Sequence, residues 1–271
     1  MDLEQSRPKG KIEGSSPSGG TGQFFNFINK RGDIVRNKKK ILAVVWLVGL
    51  PLGLVFLALR LLRIVKVEGL EKRKLLPSSE GSVLYYRHPS LREPVFLPLA
   101  FFPWFLFDLR FVPFSTPDRD YYTQWWYAPL RPLSVAVSRK ERKKAAEAEE
   151  EIRRGLAEGK TFLLAPGGGR EKKGRRFKML RAGRIEKAEV SLGVNFKELE
   201  GEAKGKLIRR FKPGMASLIQ ATGAAALPIW VESKGITTKI IFGKPFKLSN
   251  LSRKQINEAL EDTLLKLGNK R

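Results

Sequence analysis

The sequence predicts an α/β protein: a mostly parallel central sheet flanked by helices, with an N-terminal hydrophobic membrane-anchoring helix or bent helix pair. Three observations lead there. Ile41 to Leu59 is nineteen residues without a charge, bracketed by Lys38-Lys39-Lys40 and by Arg60 and Arg63. Further on, a short apolar run is followed by a helix-like stretch and then by another apolar run, the strand–helix–strand order of a parallel pair with a right-handed crossover. Finally, polar residues of chemical interest recur just past the apolar runs, where loops at the carboxyl ends of parallel strands converge on one crevice.

Composition narrows the chemistry before any motif is read. The 271 residues suffice for one substantial domain with appendages. Cysteine is absent and histidine occurs once, which excludes disulfides, cysteine-ligated zinc, a thiol nucleophile and a multi-histidine metal site. No cofactor is expected. The net charge of +25 and pI near 10.4 imply an anionic partner: nucleic acid, an acidic membrane surface, coenzyme A or an acyl carrier protein.

Residues 1–40 mix Gly, Ser, Pro and Lys without a sustained apolar period and are expected to form a disordered basic tail, with a short amphipathic patch at Gln23 to Ile28. Residues 41–66 form the anchor. Its apolar run begins too late for a secretory signal and has no small-residue cleavage site after it. At ~1.5 Å per residue it is just long enough to span a hydrocarbon core, while Pro51 between Gly49 and Gly53 also permits a bent pair within one leaflet. The bulk of the chain, 67–271, forms the main domain.

Within that domain Val83 to Tyr86 reads as a strand. Pro94 to Phe107 is apolar but broken by Pro98 and Pro103; with Trp104, Tyr121, Tyr122, Trp125, Trp126 and Tyr127 it suggests an interfacial surface. Leu109 to Phe114 and Leu133 to Val137 read as short buried strands. Arg139 to Glu158 is a helix with Gly159 as its C-terminal stop, and Thr161 to Ala165 a strand. The stretch 171–210 is charged, basic residues outnumbering acidic fourteen to six over Glu171 to Lys212, and reads as an insertion with a hairpin around Ile185 to Phe196. A helix at Pro213 to Gly223, strands at Ala226 to Val231 and Ile236 to Phe242, and an amphipathic helix at Ser252 to Leu267 close the chain.

The one histidine, His88, stands at the end of the first of these strands, in Leu-Tyr-Tyr-Arg-His-Pro-Ser-Leu-Arg-Glu. Glu93 follows five positions later, so an imidazole and a carboxylate can meet across the first turn of the next helix as general base and orienter. Ser90-Leu91-Arg92-Glu93 is also an S-x-x-E capping box, which would use Glu93 only to satisfy backbone donors. The residues alone leave both readings open.

His-x4-Glu, an apolar helix after it and a later Pro166-Gly167-Gly168-Gly169-Arg170 loop resemble the glycerolipid acyltransferase family, whose type member acylates lysophosphatidic acid. The resemblance covers about Leu84 to Val231 and comes with departures. Arg87 replaces the asparagine of the family's Asn-His-x-Ser-x-x-Asp, Glu93 its aspartate, Ser138 the aspartate before Arg139, and Gly167 and Gly169 the glutamate and threonine of Pro-Glu-Gly-Thr-Arg.

What the resemblance implies is an O-acyltransferase of phospholipid biosynthesis. It would move a fatty acyl group from acyl-CoA or acyl carrier protein to a lysophospholipid hydroxyl. His88 and Glu93 would be catalytic, while Arg139, Gly167, Gly168, Gly169 and Arg170 would bind the acceptor phosphate. The expected partners are membrane lipids and the acyl donor, with no nucleic acid. The expected location is the inner, cytoplasmic membrane, with the catalytic domain on the cytoplasmic face. An acyltransferase fold without activity, or a membrane-tethered basic protein for polyanions, are the competing readings.

Overall fold

The computed structural model describes residues 38–76, 80–88, 90, 92–167, 173–181, 183–195, 200, 206–248 and 250–269. Residues 1–37 of the expected tail, with Gln23 to Ile28, therefore lie outside the described residues, as do Gly168, Gly169 and Arg170, while Lys38 to Lys40 are helical.

The chain enters through one continuous helix, α1 (Lys38–Leu61), long and apolar enough to cross a membrane. It is not the bent pair that Pro51 allowed. A wide turn at Val45–Gly49, closed by Leu50 N–H donating to the Val45 carbonyl, sits immediately before Pro51 and accommodates the residue that lacks an N–H. Only 17 % of the most apolar stretch of α1 is buried, which sets it apart from a core helix. The buried stripe carries Val45, Gly53 and Phe56. Gly53 allows the close approach, since a Cβ there would lie 2.1 Å from the Phe102 ring.

Strand β1 (Val65–Glu68) follows α1 directly. After a 3₁₀ turn at Leu70–Leu75 comes β2 (Ser82–Tyr86), buried throughout. Two short helices, α2 (Glu93–Leu99) and α3 (Trp104–Phe107), carry the apolar stretch that contacts α1. Then come β3 (Phe114–Ser115), α4 (Arg119–Tyr122), α5 (Arg142–Ala157) and β4 (Thr161–Leu164). The inserted stretch forms β5 (Lys173–Arg181), β6 (Arg184–Asn195) and β7 (Lys206–Arg209). Helix α6 (Pro213–Thr222), β8 (Ala225–Lys234), β9 (Thr237–Phe242) and α7 (Arg253–Asn269) complete the domain.

The main sheet has the order β1-β9-β8-β2-β4-β3, and every neighbouring pair is parallel except β8 and β9. Alternation along β2 divides the core. Val83 and Tyr85 point to the α5, α6 and α7 side with Phe162, Ile219, Trp230 and Leu264; Leu84 and Tyr86 point to the α1–α3 side with Phe56, Leu97, Ile229 and Phe242. Across β1, β9 and β8, Val65 pairs with Thr238, and Thr238 with Ser233.

Three sequence expectations are corrected. Leu109 to Phe114 is not a strand: Asp108 accepts from the Arg110 N–H and draws Leu109–Phe111 into a 3₁₀ turn, leaving only Phe114–Ser115 to pair. Leu133 to Val137 makes only isolated bridges at Ser134 and Val137, because Pro129 and Pro132 hold the preceding residues in a 3₁₀ segment. The insertion hairpin turns at Gly183, φ +80°, rather than around Ile185 to Phe196, and β5 pairs antiparallel with both β6 and β7. This small sheet docks through Leu180 and Ile208, which join the core beside α7, and through a buried charge: Lys178, 1 % exposed, meets Glu261 at 3.0 Å and Asp262 at 2.7 Å on α7.

The aromatics from the end of α3 onward are partly outward. Phe107 is 79 % and Trp125 84 % exposed. Tyr127 is tied down instead, its hydroxyl lying 3.1 Å from Ser115 Oγ and 2.8 Å from Ser134 Oγ.

Candidate active site

Strand β2 is buried because it lies in the middle of the main sheet, between β8 and β4. It therefore delivers its next residues, Arg87 and His88, to a fixed place at the carboxyl edge. Glu93 opens α2 and is fully buried, while the His88 side chain is 14 % exposed. His88 Nδ1 lies 2.9 Å from Glu93 Oε2. A carboxylate only accepts, so Nδ1 carries the hydrogen and Nε2 is left as the basic nitrogen.

Glu93 also serves the helix start. Its Oε1 accepts from the Ser90 N–H at 3.1 Å and from Ser90 Oγ at 2.7 Å, and Ser90 Oγ in turn accepts from the Arg92 N–H at 3.1 Å. Both contacts are present at once: one carboxylate meets the imidazole and also closes half a capping box on the Ser90 N–H. Ser90 Oγ further approaches Ser233 Oγ of β8 at 3.4 Å, which ties the turn to the neighbouring strand. Tyr86 packs edge-on against the His88 ring at 5.9 Å between centroids. Burial, then the Glu93 carboxylate and Tyr127, push the Tyr86 phenol well up, so it stays a neutral hydroxyl.

Of the remaining predicted site residues, the described ones, Gly167 and Arg139, sit along the same edge at different distances from His88. Gly167, buried, follows β4 in a turn where Lys212 N–H donates to the Pro166 carbonyl at 3.1 Å. As β4 neighbours β2, this turn is one strand spacing from His88, roughly 5 Å laterally. Arg139 stands two residues after Val137, which bridges to Asp118 beyond β3, so it lies about three spacings from β2, roughly 14 Å. Its Nε lies 2.8 Å from Asp118 Oδ2, and its side chain is half exposed.

Other neighbours of the site were not singled out from the sequence. Arg87 is 5 % exposed; its guanidinium lies 4.8 Å above the Trp230 ring and pairs with Glu200 at 2.9 Å. Trp230 Nε1 donates to Glu232 at 3.0 Å, and Lys206 pairs with the same carboxylate. Burial alone would raise the Glu232 carboxyl, but the bonds from Lys206 and Trp230 and the charges of Lys206 and Arg87 outweigh it and hold the carboxyl below its ordinary range. Arginine in place of the family's asparagine was the one signal in the sequence. Ser233, Glu200, Glu232 and Lys206 had none, because strand pairing and the inserted sheet bring them in from afar.

The family model described as Acyltransferase matches residues 65–232. Among solved structures, the fold is similar to the crystal structure of PlsC, the 1-acyl-sn-glycerophosphate (LPA) acyltransferase from Thermotoga maritima. The identity is 19 % and the TM-score 0.46, over 76 % of this chain and 73 % of that one. No curated protein matches this sequence. Because the family model spans well over half of the 271 residues, from the start of β1 into β8, this chain belongs to the acyltransferase family.

Proposed function

We propose that this acyltransferase is membrane-anchored and transfers a fatty acyl group from a thioester, acyl-CoA or acyl carrier protein, to a hydroxyl of a lysophospholipid or related glycerolipid. The observation that carries the reading is the 2.9 Å contact between His88 Nδ1 and the buried Glu93 carboxylate, at the carboxyl edge of a central strand. In the proposed step Nε2 takes the acceptor's hydroxyl proton as that oxygen attacks the thioester carbonyl carbon. The tetrahedral intermediate then collapses, the carbon–sulfur bond breaks, and the leaving thiolate recovers the proton from the imidazolium. Glu93 holds the productive tautomer and offsets the positive charge that His88 carries between the two proton transfers.

Arg139, Arg170 and the backbone of the Gly167-Gly168-Gly169 loop are proposed to bind the acceptor phosphate, since guanidinium presents paired donors to phosphate oxygens. The exposed apolar face of α1 supports anchoring in a bilayer. His88→Ala, assayed with purified protein in detergent against one acyl donor and lysophosphatidic acid, is expected to lower turnover by roughly 10²–10⁴-fold with folding intact. Full activity in this variant would remove the mechanism.

A further inference from the structure

The stretch between β4 and α6 folds into a sheet of its own, and two ion pairs join it to the strands beside His88. Glu200, between β6 and β7, pairs with Arg87 at the end of β2; Lys206, the first residue of β7, pairs with Glu232 on β8. The pairs flank one buried indole. Trp230 is fully buried, with the Arg87 guanidinium at 4.8 Å and the Lys206 ammonium at 6.0 Å from its ring.

Each partner is fixed from behind as well. Glu200 Oε1 also accepts from the Leu207 N–H at 2.8 Å, which locks that carboxylate to β7. β7 pairs with β5, and β5 is pinned to α7 through buried Lys178. The route from α7 to Arg87 thus runs through strand pairing and ion pairs of low exposure, and Arg87 is bonded in the chain to His88.

We propose that Arg87 is a positioning residue and that the inserted sheet, acting through Glu200, sets the place of His88. This rests on His88 being the base. Arg87 and the small sheet then act together: the long buried cation needs a carboxylate, and the stretch between β6 and β7 brings it. On the other side, His88 is held by Glu93, whose turn is tied to β8 through Ser90 and Ser233. Arg87 supplies the second restraint, so that the imidazole is fixed from its own backbone as well as from its ring. A displacement of about 1 Å at a reacting group can cost on the order of 10²-fold in rate.

The test compares Arg87→Met, Arg87→Lys, Glu200→Gln and Arg87→Met/Glu200→Gln with His88→Ala, in detergent with one acyl-CoA and lysophosphatidic acid as probes. Arg176→Met serves as a control, since Arg176 is an exposed residue of β5 that pairs with Glu189 within the small sheet. The expected result is a roughly 10- to 100-fold fall in kcat for Arg87→Met and a similar fall for Glu200→Gln, with KM for both substrates within about twofold. The double variant should be no worse than Arg87→Met, Arg87→Lys should recover part of the loss, and Arg176→Met should be unaffected. Near-normal kcat in Glu200→Gln, multiplying losses in the double variant, or a change confined to KM would each overturn the proposal. If Arg87→Met fails to fold, Glu200→Gln and Arg87→Lys still decide. Activity in His88→Ala would instead refute the assignment of the base, a separate failure.

Discussion

Glu93→Gln isolates the charge of the orienting carboxylate from its geometry. Glu93 is fully buried and receives three donors: His88 Nδ1–H on Oε2, and the Ser90 N–H and hydroxyl on Oε1. A glutamine can keep its oxygen towards His88 and towards the Ser90 N–H, which already lies 3.2 Å from Oε2, and turn its NH₂ towards Ser90 Oγ, which can accept. The turn then survives largely intact while the negative charge is lost. A hydrogen bond to a charged group contributes ~1.5–3 kcal/mol and a neutral one about 1 kcal/mol. The imidazolium formed in the transition state should therefore lose roughly 1–2 kcal/mol, a roughly 5- to 30-fold fall in kcat. Glu93→Ala removes the half capping box too and should lower the melting temperature as well as kcat. The assay is initial rate at saturating donor and acceptor, with thermal unfolding alongside. Wild-type kcat in Glu93→Gln, together with a destabilised Glu93→Ala, would reduce Glu93 to a helix cap and refute the reasoning.

Three further perturbations follow from packing and charge. Gly53→Val should crowd the Phe102 ring and cost ~1–3 kcal/mol, read as a lowered melting temperature in detergent. Lys178→Met removes the nearer cation from the buried Glu261 carboxylate, leaving it only Arg210 Nε at 3.8 Å, and should cost ~3 kcal/mol in urea unfolding, partly recovered by adding Glu261→Gln. The Glu232 carboxyl lies below its unfolded value near 4.5, so its contribution is fully present above that pH and is lost as pH falls through the lower, folded value. Stability measured between about pH 5 and 3 should fall less steeply in Lys206→Met than in the parent.

Much of the main sheet was legible because its strands and helices announce themselves locally. The apolar run before His88, the Ala- and Glu-rich α5 with Gly159 at φ +78°, and α6 stopped by Gly223 at φ +65° follow from periodicity and helix-stop rules alone. The His88–Glu93 pair was legible for the same reason, as its members are five residues apart. What could not be read is held together over long separations. Lys178 bonds to Asp262 from 84 positions away, and nothing in Phe177-Lys178-Met179 says that this lysine points inward. β3 has two residues and exists only because β4 lies beside it. The Arg87–Glu200 pair needs both the inserted sheet and the end of β2 to be in place before either residue has a partner.

The direction of β1 has a consequence for where the reaction takes place relative to a bilayer. β1 runs parallel to β9, β9 antiparallel to β8, and β8 parallel to β2, so β1 begins at the edge where β2 ends. The row Val65, Thr238, Ser233 continues to Ser90, whose hydroxyl lies 3.4 Å from that of Ser233. Since α1 ends at Leu61 and β1 starts at Val65, the helix leaves the sheet on the same side as His88, about 14 Å across. With α1 in the membrane, it works as a depth gauge. In the proposed function this would hold His88 level with the headgroups, so that a lysophospholipid could offer its hydroxyl while its acyl chain stays in the leaflet.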